Sequence, residues 1–108
     1  SISEIKILFP DPWPKTKHKS RRLIQPIFIE YLSLILVENG TITVGTDHPV
    51  LKSWVLEQFQ SNQGLEWLAN DANDWRTRPS DCFSTKYEKK AYKENRVPSW
   101  FIYKKIKN

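Results

Sequence analysis

The sequence predicts an α/β fold, a short sheet flanked by helices. Two observations predict it. Apolar residues change from strand-like runs to helical spacing in the order strand, helix, strand, helix, strand. The stretch between the first two strands is long enough for a crossover helix, which suits a right-handed parallel connection. At 108 residues and 12.8 kDa the chain holds at most one domain. Its aromatic fraction of 13%, with five Trp, excludes a disordered chain.

Each element has a local cause. Ile5, Ile7, Leu8 and Phe9 form an apolar run that Pro10 ends, as a buried strand would. Pro10-Asp11-Pro12-Trp13-Pro14 holds three Pro in five residues, so it is a stiff loop with preset φ angles. A basic stretch from Lys15 to Arg22 follows. Leu23, Ile24, Ile27, Phe28, Tyr31, Leu32 and Ile35 then repeat at helical spacing. Pro26 fits only a first turn, so this helix should start near Ile24 or Gln25. Asn39-Gly40 should supply its left-handed stop.

Thr41 to Thr46 is rich in β-branched residues and reads as the second strand. Pro49 opens a second helix, with Val50, Leu51, Trp54, Val55 and Phe59 on one face, broken at Asn62 to Gly64. Leu65 to Leu68 reads as a short strand, and residues 70–84 as a long polar loop. Lys86 to Lys93 reads as a short helix. Val97 to Ile106 reads as a last strand with Trp100, Ile102 and Lys104 on one face.

The net charge of +5 is unevenly spread. Residues 1–22 carry +4, residues 23–85 carry −5 and residues 86–108 carry +6. If the basic ends meet in space, they form a face that attracts phosphate backbones. The plainer reading is ordinary solvated Lys and Arg. No apolar run approaches the ~18 residues of a membrane span, and no signal-peptide pattern opens the chain. The single Cys82 forms no internal disulfide, so a reducing compartment, the cytoplasm, is the expectation. Neither Cys82 nor the two histidines, His18 and His48, show a ligand spacing, so no metal is expected. The sequence has no Met and enters an apolar run almost at once, as would a piece of a longer protein.

Ligands of open parallel sheets bind beyond the carboxyl ends of strands. Asp11 and Asp47 both lie just past such ends, so neighbouring strands would turn both carboxylates into one crevice. A second reading has Asp47 capping the next helix.

Three blocks in order carry a resemblance: Phe9-Pro10-Asp11-Pro12-Trp13-Pro14-Lys15 with the basic run to Arg22, then Thr46-Asp47, then Thr85-Lys86-Tyr87-Glu88. Together they resemble the bacterial tRNA (guanine-N7-)-methyltransferase family across essentially the whole chain. That resemblance implies a Rossmann-like fold, mostly parallel with an antiparallel last strand. It implies S-adenosylmethionine as methyl donor and the variable-loop guanine of tRNA as acceptor. The glycine-rich donor loop and the acidic ribose-binding residue of that fold have no counterpart here. Residues 1–108 are therefore expected to be the C-terminal portion of a single methyltransferase domain, without its N-terminal cofactor-binding strands. Residues 4–9 would then present an unpaired hydrophobic edge.

By the resemblance, Asp11 is catalytic and also touches the donor. Lys15, Asp47, Thr85, Lys86, Tyr87 and Glu88 contact the substrate. Lys17, His18, Lys19, Ser20, Arg21 and Arg22 contact RNA. Trp13 either stacks on the base or fills space behind the loop, and the basic run has the rival reading of a solvated helix entrance. Gly45, His48 and Ser20 depart from the pattern, and Tyr87 stands where Phe is usual. Two further functions compete: an RNA-binding fragment inactive by itself, and an amino-group methyltransferase using the Asp-Pro-x-Trp loop.

Overall fold

Strand β1 (Ile2–Leu8) and strand β2 (Leu36–Thr46) pair in parallel, with Ile5 opposite Ile42 and Ile7 opposite Val44. The computed structural model describes residues 2–69 and 71–106. Between the strands lie a 3-10 helix (Thr16–Arg21) and helix α1 (Pro26–Ile35). Helix α2 (Pro49–Gln60), strand β3 (Leu65–Trp67), and helices α3 (Ala72–Arg76) and α4 (Lys86–Lys93) follow. Strand β4 (Ser99–Lys105) is last. The sheet order is β1-β2-β4-β3. β4 runs antiparallel to both β2 and β3, so β1, β2 and β3 share one direction and the last strand opposes them. This is the mixed, mostly co-directed sheet that the sequence led us to expect.

Alternation along the strands gives the sheet two covered faces. Ile42, Val44, Phe101 and Tyr103 form the core with Ile29 and Leu32 of α1 and Leu51, Val55 and Phe59 of α2. Phe59 stacks on Tyr103 with centroids 4.1 Å apart, and burial raises the pKa of the Tyr103 phenol. Trp100 lies on the opposite face, beside the buried Gly45 that pairs with it. On that face Lys6 of β1 meets Asp81 at 2.9 Å. This contact raises the Lys6 pKa and lowers that of Asp81. β1 forms one margin of the sheet, with no strand on its outer side among the described residues.

Several boundaries differ from the sequence reading, and β2 begins at Leu36 rather than Thr41. Residues 70–84 are not all loop: α3 forms there, because Trp75 packs on Phe101 with centroids 6.4 Å apart. β4 starts at Ser99 rather than Val97. Helix α1 ends at Ile35, four residues before Asn39. Asn39 does adopt the left-handed conformation (φ 66), but it does so inside β2. There the parallel register slips between Ile2 and Glu4. Gly40 is needed beside it, because a Cβ at that position would sit 2.7 Å from Leu36 Cδ1.

What stops α1 comes from the far end of the chain. The ammonium of Lys105, a buried residue, donates to the carbonyls of Ser33 (2.6 Å) and Leu36 (2.8 Å). A cation there satisfies carbonyls that a helix end leaves unpaired and complements the helix dipole. Lys105→Met keeps the apolar stem and strands those carbonyls. It should cost about 1–3 kcal/mol, read as a lower denaturant midpoint with an unchanged slope.

Candidate active site

The chain leaves β1 through a strained turn. Phe9 (φ 55) and Trp13 (φ 42) both sit in the left-handed region, which costs a bulky residue roughly 1–3 kcal/mol. Strain of that size persists only where surrounding contacts hold it. The Phe9 N–H donates to the Gly45 carbonyl at 2.6 Å and ties the turn to β2. Arg22, only 6% exposed, donates from Nε to the carbonyls of Pro12 and Trp13, each at 3.1 Å. Its guanidinium lies 4.6 Å from the centre of the Trp54 ring. Trp13 is itself covered by the Arg21 guanidinium at 5.1 Å and met edge-on by His18 at 5.7 Å. Trp13 thus packs within the loop and its basic run.

This framework leaves Asp11 exposed at the mouth of a cleft of about 210 Å³. Asp47, Thr46, Tyr87, Lys90 and Arg96 line the same cleft. The two carboxylates therefore do meet beyond the ends of adjacent parallel strands. Lys90 and Arg96 come from the second basic segment, whereas the first segment lines the cleft only with Phe9, Pro10, Asp11 and Pro12 and gives it no cation.

Asp47 does not cap α2. That place belongs to His48, whose Nδ1 accepts from the Val50 N–H at 3.2 Å. Asp47, with its side chain 17% exposed, instead pairs with Arg96 through Oδ2. Sequence reading gave Arg96 no role beyond its charge. One signal was available, since Asn95 is a left-handed stop for the helix from residue 86 and aims the next residue back.

The Thr85–Glu88 block divides. Thr85 Oγ1 accepts from the Glu88 N–H at 3.1 Å and starts α4. Glu88 is buried against Arg78, whose Nε lies 3.1 Å from Oε1 and directs its hydrogen to Oε2 at 3.3 Å. Both side chains are therefore engaged in holding the helix start. Lys86 and Tyr87 are exposed, with the Lys86 ammonium 5.3 Å from the Tyr87 ring, and only Tyr87 lines the cleft. The basic run divides likewise. Lys15, Lys17, Lys19, Ser20 and Arg21 are exposed, and His18 is half-buried. Arg22 faces inward, and its burial departs from the RNA contact that the resemblance implied.

Burial raises the Cys82 thiol pKa, which suits an inert side chain rather than a nucleophile. Among the described residues no cluster of three or more His, Cys, Asp or Glu is placed to hold a metal ion. No helix among them is long and apolar enough to cross a membrane.

Comparison with known proteins gives the family. A family model described as "Putative methyltransferase" matches residues 1–99. The tRNA (guanine-N(7)-)-methyltransferase of Rhodospirillum rubrum is 35% identical over 104 residues, 96% of this chain and 41% of that protein. Its namesake from Ruegeria pomeroyi is 40% identical over 106 residues, 98% of this chain and 44% of that protein. This chain spans less than half the length of these curated relatives. With the matched model covering residues 1–99 of 108, the chain belongs to this putative methyltransferase family.

Proposed function

We propose that the chain is the C-terminal part of a cytoplasmic methyltransferase domain that methylates N7 of the variable-loop guanine of tRNA, with S-adenosylmethionine as donor. One observation carries the reading. Asp11, Asp47 and Tyr87 converge on a cleft at the ends of two parallel strands, and the loop that carries Asp11 runs on into the exposed cations from Lys15 to Arg21. The names of the relatives supply the acceptor atom.

At about 210 Å³ the cleft is smaller than the roughly 300–1,000 Å³ of typical small-molecule sites. The lining residues fit one wall of a donor site, with Asp11 just past the carboxyl end of β1. When bound, S-adenosylmethionine supplies an electrophilic methyl group carried on a sulfonium. Guanine N7 holds its lone pair in the ring plane and has no proton to lose, so no strong base is required. The purine gains positive charge as the new bond forms, and the Asp11 carboxylate stabilises that charge. Asp47 accepts from the guanine edge, and Tyr87 offers a ring face for stacking. Lys15, Lys17, His18, Lys19, Ser20, Arg21 and Lys86 engage the RNA backbone. Arg22, Thr85 and Glu88 act indirectly, by holding the loop and the helix that present these groups.

The size of the cleft and the open margin of β1 also favour a second reading for residues 1–108 taken alone: an RNA-docking unit without turnover. The complete protein is the one to assay, with labelled donor and tRNA, followed by nucleoside analysis. The expected product is 7-methylguanosine. A methylated exocyclic amine would replace this reading with the amino-group alternative, and an unlabelled tRNA would remove it.

Salt dependence separates the exposed cations from the buried one. Lys17→Gln, Lys19→Gln and Arg21→Gln should each flatten the plot of log affinity for tRNA against log salt by about 0.7–0.9. Arg22→Gln should instead lower the melting temperature. An unchanged slope in the first three would remove the backbone-contact assignment.

A further inference from the structure

Arg96 reaches Asp47 across 49 residues of sequence, and its backbone is fixed on both sides. Helix α4 closes in a Schellman turn. The Arg96 N–H donates to the Ala91 carbonyl at 2.7 Å, and the Asn95 N–H donates to the Tyr92 carbonyl at 3.1 Å. Asn95 takes the left-handed conformation that this turn requires (φ 62). On the other side, the Val97 carbonyl accepts from the Lys52 ammonium of α2. The guanidinium is thereby presented to Asp47 Oδ2 through Nε, while Nη1 pairs with Glu94.

Asp47 is available for this contact because His48 satisfies the first turn of α2. Its second oxygen, Oδ1, receives no hydrogen bond from any described residue. One oxygen is clamped, and Asp47 lines a cleft that also holds Asp11 and Tyr87. A free aspartate would rotate about its side-chain bonds and would be disfavoured beside RNA phosphates. A clamped one keeps a single direction, and the guanidinium offsets its charge.

We propose that Arg96 is a positioning residue for guanine recognition, which clamps Asp47 through Oδ2 and leaves Oδ1 to accept an N–H from the Watson–Crick edge of the base. The proposal rests on the methyltransferase reading given above. Guanine carries donors at N1 and N2, whereas adenine places a lone pair at N1. Only a fixed acceptor turns that difference into discrimination, because the wrong base leaves a buried oxygen unpaired.

The test uses the complete enzyme and four forms: wild type, Arg96→Gln, Arg96→Lys and Asp47→Asn, with the double variant closing a cycle. Arg96→Gln should lower kcat/KM for tRNA by on the order of 10- to 100-fold, mostly through KM, because a charged hydrogen bond is lost. The KM for the methyl donor and the melting temperature should stay near wild type. Arg96→Lys keeps the charge but not the planar fork, and should fall between. In the Asp47→Asn background Arg96→Gln should add little, since the two act as a unit. Wild-type kinetics in Arg96→Gln overturn the proposal. So does an equal loss in both backgrounds, or a loss that follows the melting temperature and the donor KM together. A wild-type enzyme that leaves tRNA unmethylated overturns the methyltransferase reading and this role with it. Wild-type turnover beside an indifferent Arg96→Gln overturns the role of Arg96 alone.

Discussion

Asp11→Ala should reduce methyl transfer by the complete enzyme by at least about 100-fold, the usual cost of removing a preorganised electrostatic partner. Affinity for tRNA should change little, because binding rests on the exposed cations rather than on this carboxylate. Asp11 is exposed, and Pro10 and Pro12 fix the backbone around it, so the loop should keep its shape and the melting temperature should hold. Asp11→Asn refines the test. It retains a carbonyl acceptor of nearly the same size and loses the negative charge. A variant as impaired as Asp11→Ala assigns the effect to charge, and one close to wild type assigns it to orientation. Single-turnover methylation with filter binding of tRNA measures both quantities. Activity in Asp11→Ala within a few-fold of wild type would remove the catalytic assignment.

The largest effect on stability should come from Trp100. It is fully buried, and truncation of such a residue to Ala typically costs about 3–5 kcal/mol. A domain with roughly 5–15 kcal/mol in total loses much of its margin by that change. The indole lies over Gly45: a Cβ there would meet Trp100 Cδ1 at 3.0 Å, Nε1 at 3.1 Å and Leu8 Cδ2 at 3.2 Å. Gly45→Ala should therefore cost about 1–3 kcal/mol through overpacking. In the Trp100→Ala background the same change should cost less, since two of the three crowding atoms are gone and only Leu8 Cδ2 remains. Denaturation of the four forms closes the cycle, and simple additivity would contradict the packing account. Function should follow, because the Gly45 carbonyl accepts from Phe9 and Gly45 lies two residues before Asp47. A shift at this glycine moves both carboxylates.

The elements with strong local signals were legible. The Pro-bounded apolar run, a helix with Pro26 in its first turn and the β-branched Thr41–Thr46 segment follow from neighbouring residues, and the shared cleft of Asp11 and Asp47 follows from the strand-helix-strand order. The missed features depend on residues far apart in sequence. The end of α1 is set by Lys105, about seventy residues away, so the local Asn39-Gly40 signal pointed to the wrong place. α3 exists because Trp75 finds Phe101, which no short window contains. Arg96 looked like one more cation until the turn at Asn95 showed where it aims. Thr85 and Glu88 are different: a Thr three residues before a Glu is itself a helix-start pattern, which the sequence reading did not use. That Asp47 does not cap α2 turned on His48, an uncommon cap that propensity alone would not select.

The position of β4 has a consequence for the order of events in folding. It is the last strand in sequence, yet it sits inside the sheet, between β2 and β3. During synthesis β1, α1, β2 and α2 emerge without the strand that closes their core. Thr41 must wait for Lys104, and Ile42 for Tyr103, so the pairing that completes the sheet is distant in sequence and slow to form. Until residues 99–105 leave the ribosome, β2 offers a bare hydrogen-bonding edge and Val44, Val55 and Phe59 lack their cover. The nascent chain should therefore depend on chaperones until β4 is made. Ribosome-bound chains ending before residue 99 should be cleaved by protease at sites that longer chains protect.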